Sequence, residues 1–401
     1  MRELPLLFIF SLLLHICFFA ESNKTSLHTQ INTSSNVEIL DEVRSYIEEN
    51  HPTPYTTISK KAFKKKIERL KKTWHRMNKD EQYFSLRYLC SLGDAHTTIL
   101  RNKLEAKTLP FFILPYGKHS VIVQVDAKYK ELVGKELLQV NGHKIDTIFK
   151  KLLPFISHDK LGWGRLQAHY ECRFVSALQY LKIVNNDATE VTVKYKDIKN
   201  GKIETISVKF SPTVQIERPI FANLAPTLFQ VGYYRAFALQ DVLFIQYNVC
   251  ADAPDLPMKD FALQIGNVTS NFKKIIIDLR HNAGGNSEVI SSLIEVLKNL
   301  NEHKLFAIVG GGTFSSGVMA TTALKEIGAT IIGEEVGWNG KFGEVKSFPL
   351  KDSELTLLCS TKDFSSIESL TTLRPDILMS EDLNDLASGL DTIVDYITNL
   401  E

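Results

Sequence analysis

Phe306-Ala-Ile-Val-Gly310-Gly-Gly-Thr-Phe-Ser315-Ser-Gly317 is the stretch on which the fold turns. A short apolar run meets a glycine run, and beyond it Met319, Leu324 and Ile327 recur at helical spacing. That order predicts a buried strand turning directly into a helix. A serine at such a junction has two physical advantages. Its hydroxyl stands beyond the carboxyl end of the sheet, and the unpaired N–H groups of the first helical turn can stabilise a developing oxyanion. Read alone, Thr313, Ser315 or Ser316 serves equally well as a plain helix cap, and the position by itself favours that role.

The same alternation extends on both sides of the junction. Leu243-Phe-Ile-Gln-Tyr247, Lys274-Ile-Ile-Ile-Asp-Leu-Arg280 and Thr330-Ile-Ile-Gly333 read as buried strands, with helices expected over about 259–272, 287–299 and 316–327. An α/β domain over 213–401 follows. After Asp278-Leu-Arg280 comes a second strand-to-helix turn, His281-Asn-Ala-Gly-Gly285-Asn-Ser287. Its paired glycines let the backbone approach a ligand, and the N–H of Gly284 or Gly285 can form half of an oxyanion hole. A phosphate-binding turn would need a Lys-Ser/Thr ending that is missing here, and the spacing matches no dinucleotide fingerprint.

Upstream, 105–212 reads as a β-rich module with an inserted helix, its strands including Ser120-Val-Ile-Val-Gln-Val125 and Val191-Thr-Val-Lys-Tyr195. Within it Gly134 to Ile145 is similar to the turn-strand-turn signature of PDZ-like domains, which bind peptide along a sheet edge. A hairpin closed by Asn141-Gly142 accounts for the same residues without any binding role. Residues 37–104 are helical in pattern, with apolar stripes at Ile39, Val43 and Ile47 and at Phe63, Ile67, Leu70 and Trp74. The nine basic residues of Lys60–Arg76 form the solvated face of an amphipathic helix rather than a nucleic-acid surface. This region ends in Ser91-Leu-Gly-Asp-Ala-His96-Thr-Thr-Ile99, where His96 follows a Gly-Asp turn.

Residues 1–20 pair a charged start with an apolar run from Leu6 to Ala20, the pattern of a cleaved signal peptide. The run is shorter than a membrane-spanning helix and is interrupted by His15, so an anchor is not expected and the chain reads as secreted or periplasmic. Cys17 lacks the small neighbours of a lipid-attachment site. Residues 21–36 read as a flexible lead-in. Export makes Cys90, Cys172, Cys250 and Cys359 either disulfide partners or buried free thiols, and nothing in their spacing chooses or suggests a metal site. Asn23, Asn32 and Asn267 begin glycosylation sequons, which matter only in a eukaryotic host. With 47 basic and 46 acidic residues among 401, the net charge of +1 gives no field that would draw nucleic acid.

The motifs Gly-Asp-Ala-His-Thr, Ile-Asp-Leu-Arg-His-Asn-Ala-Gly-Gly, Thr-Phe-Ser-Ser-Gly, Ile-Ile-Gly-Glu-Glu, Phe-Gly-Glu-Val-Lys-Ser-Phe and Arg-Pro-Asp-Ile occur in this order from about Tyr83 onward. In that order the chain resembles the tail-specific, C-terminal-processing serine peptidases, nearest their tricorn-like serine/histidine branch. The resemblance implies a crotonase-like α/β catalytic domain of the Clp and tail-specific protease type, a peptide or protein substrate, and no metal or organic cofactor. It places the nucleophile at Ser315, the base at His96, the oxyanion donors at Ser316 and at Gly284 or Gly285, and an orienting carboxylate near Glu368. The processing-protease branch instead pairs its serine with a lysine. Here Asn339 stands at that position and Lys341 lies two residues later, so Lys341 is the rival base, which would need desolvation to lower its pKa. Ala95 and Gly317 also depart from the family, standing where relatives carry serine and alanine. Two other readings compete: a non-catalytic peptide- or lipid-binding protein on the same fold, and an esterase, although the Gly-x-Ser-x-Gly elbow of many esterases is missing.

Overall fold

Three amphipathic helices open the part of the chain that this computed structural model describes, residues 37–103, 105, 107–211, 227–230, 232–300 and 302–400. The expected signal peptide, the lead-in, Cys17, Asn23 and Asn32 lie outside the described residues. The helices are α1 (Ile39–Asn50), α2 (Lys60–Thr73) and α3 (Lys79–Cys90). In α2 the Ser59 side chain caps the first turn, Phe63 and Ile67 face inward, and the lysines face solvent. A capping box between Asn78 and Glu81 starts α3.

A three-stranded sheet ties this helical region to sequence far downstream. Strand β1 (Thr98–Arg101) pairs antiparallel with the penultimate strand (Leu355–Asp363), Thr98 opposite Leu358, and that strand pairs in turn with Phe342–Pro349. Next come β2 (Phe111–Tyr116), β3 (His119–Val125), β4 (Glu136–Val140), β5 (His143–Lys144), β6 (Glu190–Lys196) and β7 (Ile203–Lys209). They form one sheet in the order β2-β3-β4-β6-β7, with β5 returning onto β4. The β4–β5 connection is the two-residue Asn141-Gly142 hairpin, both residues at positive φ (48° and 77°), as a type I′ turn requires. Helices α4 (Ile145–Leu152), α5 (Leu161–Glu171) and α6 (Val175–Tyr180) are inserted between β5 and β6. A single core runs through the three opening helices, this sheet and Leu357 and Cys359 of the penultimate strand.

The remaining strands, β8 (Thr227–Gln230), β9 (Tyr234–Leu239), β10 (Val242–Tyr247), β11 (Lys274–Asp278), β12 (Lys304–Val309), β13 (Thr330–Gly333), β14 (Phe342–Pro349), β15 (Leu355–Asp363) and β16 (Ile377–Leu378), complete the sheets. Seven of the sixteen strands among the described residues make one sheet in the order β16-β13-β12-β11-β10-β9-β8, parallel from β10 to β16 and antiparallel at β9 and β8. Every residue of β10 and β11 is buried, because helices cover both faces. On one face lie α7 (Met258–Val268), α8 (Ser291–Lys298) and α9 (Ser316–Glu326), and on the other Ile393, Val394 and Ile397 of the last helix (Thr392–Thr398). The expected helices over 259–272, 287–299 and 316–327 are therefore present, all ending earlier than expected and the second also starting later. Among the described residues no helix is long and apolar enough to cross a membrane.

The question of the cysteines resolves toward thiols. Cys90, Cys172, Cys250 and Cys359 are free and buried, and burial pushes the last three up to about 12, where they are protonated and inert.

Candidate active site

Parallel pairing of β11 with β12 sends both chains out of the same end of the sheet, so Leu279–Gly285 and Gly310–Ser315 meet there. The close fit of the two turns is made by glycine. Gly284 sits at φ +105°, and a Cβ on it would lie 2.8 Å from Ser315 Cβ and 2.9 Å from the Ser316 nitrogen. Gly285, at φ +135°, runs beside Cys250, whose carbonyl would be 2.2 Å from a Cβ there. Asn282 locks the turn from beneath: its Oδ1 accepts from the Gly284 N–H (2.9 Å), its Nδ2 donates to the Tyr247 carbonyl (3.0 Å), and its own carbonyl accepts from the Phe314 N–H (2.9 Å).

Ser315 precedes α9 at φ 51°, ψ −125°, a region nearly reserved for glycine. Such a conformation costs on the order of 1–3 kcal/mol in a residue with a side chain and persists where the surroundings enforce it. Its side chain makes no capping hydrogen bond. The helix-cap reading therefore fails for Ser315, and the neighbouring hydroxyls have other tasks: Thr313 Oγ1 donates to the Leu279 carbonyl (2.8 Å) and Ser316 Oγ to the Gly285 carbonyl (2.6 Å). Among the described residues the Ser316 and Gly285 N–H groups donate to no protein acceptor, whereas the Gly284 N–H is already held by Asn282. Of the two glycines named as oxyanion donors, Gly285 is the one with an N–H to offer.

His96 and Ser315 line the same cavity, about 650 Å³ in volume, together with Gly285, Ser316, Trp163 and Trp338. The imidazole packs against Phe314 (centroids 4.3 Å apart) and edge-on against Trp338 (5.5 Å). Burial lowers the His96 pKa to about 4, opposed by the Asp94 carboxylate and by the Phe342 backbone. The ring is thus uncharged at neutral pH, the form a general base needs. Among the described residues neither ring nitrogen has a hydrogen-bond partner of ordinary geometry, and no hydrogen bond joins the ring to Ser315.

The other two named residues lie elsewhere. Lys341 is exposed and outside the cavity; its N–H donates to Asn339 Oδ1 (3.0 Å), and its carbonyl receives the Phe364 N–H (2.6 Å). Glu368 begins the short helix Glu368–Thr371 with its side chain in solvent, also outside the cavity. The lysines that do border the cavity are Lys103 and Lys362, the latter over the Phe364 ring (4.9 Å) and 3.4 Å from Glu344. Sequence reading did not single out Lys362, because only the β14–β15 pairing brings it there. Asp159, from the Ser157-His-Asp segment, was also missed as an individual residue: its Oδ1 accepts from the Ala95 N–H (3.2 Å), and burial pushes its carboxyl up to about 7.

At the carboxyl end of a loop-bearing parallel sheet the structure gathers a strained serine, free N–H donors and a neutral histidine, the parts from which a nucleophile-type site can be built. No family model matches the chain, and no curated protein sequence does either. Solved structures do. Mature CPAF in complex with lactacystin superposes with a TM-score of 0.65 at 13% identity, over 90% of this chain and 97% of that one. A crystal structure of mature CPAF gives 0.64 at 13% identity, over 90% and 95%. The photosystem II D1 C-terminal processing protease gives 0.40 at 14% identity, over 87% and 94%. The chain therefore has the fold of mature CPAF across nearly its whole described length.

Proposed function

We propose that the protein is a serine peptidase of the tail-specific type, with Ser315 as nucleophile and His96 as base. The observation that carries this reading is the unbonded Ser315 hydroxyl, held at positive φ beside two unengaged N–H groups and in one cavity with a neutral buried imidazole. His96 takes the hydroxyl proton as Ser315 Oγ attacks the peptide carbonyl. The N–H groups of Ser316 and Gly285 receive the oxyanion. His96 returns its proton to the leaving amine, and water then hydrolyses the acyl-enzyme by the same steps. The fold likeness supports the reading, as does the motif order. Lys341 and Glu368 would need a rearrangement of their exposed segments to take part.

The finer assignments belong to the same proposal: export directed by residues 1–20, a crotonase-like catalytic domain over 213–401, and a PDZ-like role for the β2–β7 sheet in gripping peptide. The missing Ser315–His96 hydrogen bond is what a non-catalytic binding protein would also show, although catalytic contacts commonly tighten only when substrate is bound. Labelling by a fluorophosphonate separates the two. Wild type is expected to be labelled and Ser315→Ala not; equal labelling of both ends the proposal. Casein cleavage measured beside ester hydrolysis distinguishes a peptidase from an esterase.

A further inference from the structure

A base whose charged form is disfavoured by burial must still become an imidazolium in the transition state, and His96 has no carboxylate hydrogen-bonded to its ring. We propose that Asp94 is the positioning residue for His96, fixing the base through its backbone and stabilising the imidazolium through space with a fixed buried negative charge. This inference rests on His96 being the base of the proposed peptidase.

The geometry around Asp94 is that of a fixed anion. The residue is 4% exposed and accepts five hydrogen bonds. Oδ1 receives the His96 N–H (2.7 Å), the Thr97 N–H (3.2 Å) and the Ser360 hydroxyl (2.8 Å). Oδ2 receives the Thr97 hydroxyl (2.7 Å) and His51 Nε2–H (2.6 Å). These donors come from three places in the chain: the loop itself, the end of α1 and strand β15. The carboxylate cannot swing to the His96 ring without breaking several of them.

None of the donors need carry a positive charge. His51 Nδ1 accepts the Thr53 N–H (2.9 Å), which leaves the ring's single proton on Nε2 and makes His51 a neutral donor. Asp94 is therefore a buried carboxylate that its hydrogen-bond donors hold well below the ordinary carboxylate range, and a positive charge that appears beside it is favoured. The charge that can appear is on His96, for which Asp94 is the acting carboxylate. The other titratable groups nearby do not replace it. Asp159 is held near 7 by burial and partly protonated at neutral pH, His51 is neutral, and Lys341, Lys362 and Glu344 are solvent-exposed. The Asp-x-His spacing is what allows one carboxylate to hold the backbone of the base and act on its ring.

The test reads His96 directly, by NMR titration of histidine-labelled, full-length Ser315→Ala protein, with and without Asp94→Asn. Loss of the carboxylate is expected to lower the His96 titration by about one unit or more, a tenfold change in its proton affinity. In the active enzyme the same substitution is expected to reduce kcat/KM about 10- to 100-fold and to move its acid limb to lower pH, whereas Asp94→Glu recovers part of both. His51→Gln keeps a donor to Oδ2 and the charge on Asp94, so its His96 titration should match the parent. An unchanged His96 titration in a folded Asp94→Asn protein overturns the inference, as does an equal shift in His51→Gln. Should Asp94→Asn not fold, the parent protein still decides: the Asp94 carboxyl carbon resonance should move as His96 titrates, and its indifference refutes the coupling. Lack of fluorophosphonate labelling in wild type would end the peptidase reading, while the titrations would still judge Asp94.

Discussion

Gly317→Ala sets two opposing effects against each other at the candidate nucleophile. Gly317 is the second residue of α9, where alanine is intrinsically more favourable than glycine by up to about 1 kcal/mol. A Cβ at that position would, however, lie 2.4 Å from the Asn282 carbonyl oxygen and 3.1 Å from Asn282 Oδ1. The carbonyl cannot simply turn aside, since it accepts the Phe314 N–H at 2.9 Å. Reaching even a 3.0 Å contact requires α9 and the Asn282–Gly285 turn to separate by about 0.6 Å, and overpacking of this kind costs roughly 1–3 kcal/mol. The clash should win, for a net destabilisation of about 0–2 kcal/mol. The larger effect is on geometry, because the separation pulls the Ser316 N–H away from the Gly285 N–H. A misplacement near 1 Å can reduce catalysis about 100-fold. A thermal melt and kcat/KM on a fluorogenic peptide measure the two effects together. A variant that melts higher than wild type and keeps full kcat/KM would refute the close approach of α9 to the turn, and with it the proposed oxyanion site.

The depressed His96 pKa gives a signed pH prediction. Between about 4 and the unfolded value near 6.5 the unfolded chain binds the proton and the folded one does not, so stability falls as pH drops through that window; His169, lowered to about 3, acts in the same direction. The acid limb of kcat/KM should accordingly lie well below pH 6.5, and a limb at or above 6.5 would contradict a buried neutral base. Arg87 and Glu171 form a salt bridge with side chains only 8% and 9% exposed, so Arg87→Met, which strands a buried carboxylate, should cost about 3–5 kcal/mol in urea unfolding, with part of the loss recovered by adding Glu171→Leu. Cys90, Cys172, Cys250 and Cys359 should react with a thiol reagent only after unfolding, and a disulfide found among them by mass spectrometry would disprove their free state.

The local elements of this protein were legible in its sequence because period and punctuation are local properties. Apolar runs marked β10 to β13, the three- and four-residue stripes marked α1 and α2, and Asn141-Gly142 marked a hairpin that formed as its turn chemistry requires. Motif order singled out Ser315, His96 and the pair Gly284 and Gly285, with Lys341 and Glu368 beside them. Tertiary structure decided which of these groups are free to act. The Asn282 side chain occupies the Gly284 N–H and leaves that of Gly285, and a φ of 51° distinguishes Ser315 from an ordinary helix cap. The antiparallel pairing of Thr98 with Leu358, 260 positions apart, ties the His96 loop to β15 and sets Ser360 on Asp94. Neither Lys341 nor Glu368 lines the cavity, while the pairing of β14 with β15 presents Lys362 there. Sequence fixes the types of group and the short spacings between them. Their exposure, their hydrogen-bond partners and the burial that lowers the His96 pKa arise only when distant segments pack together.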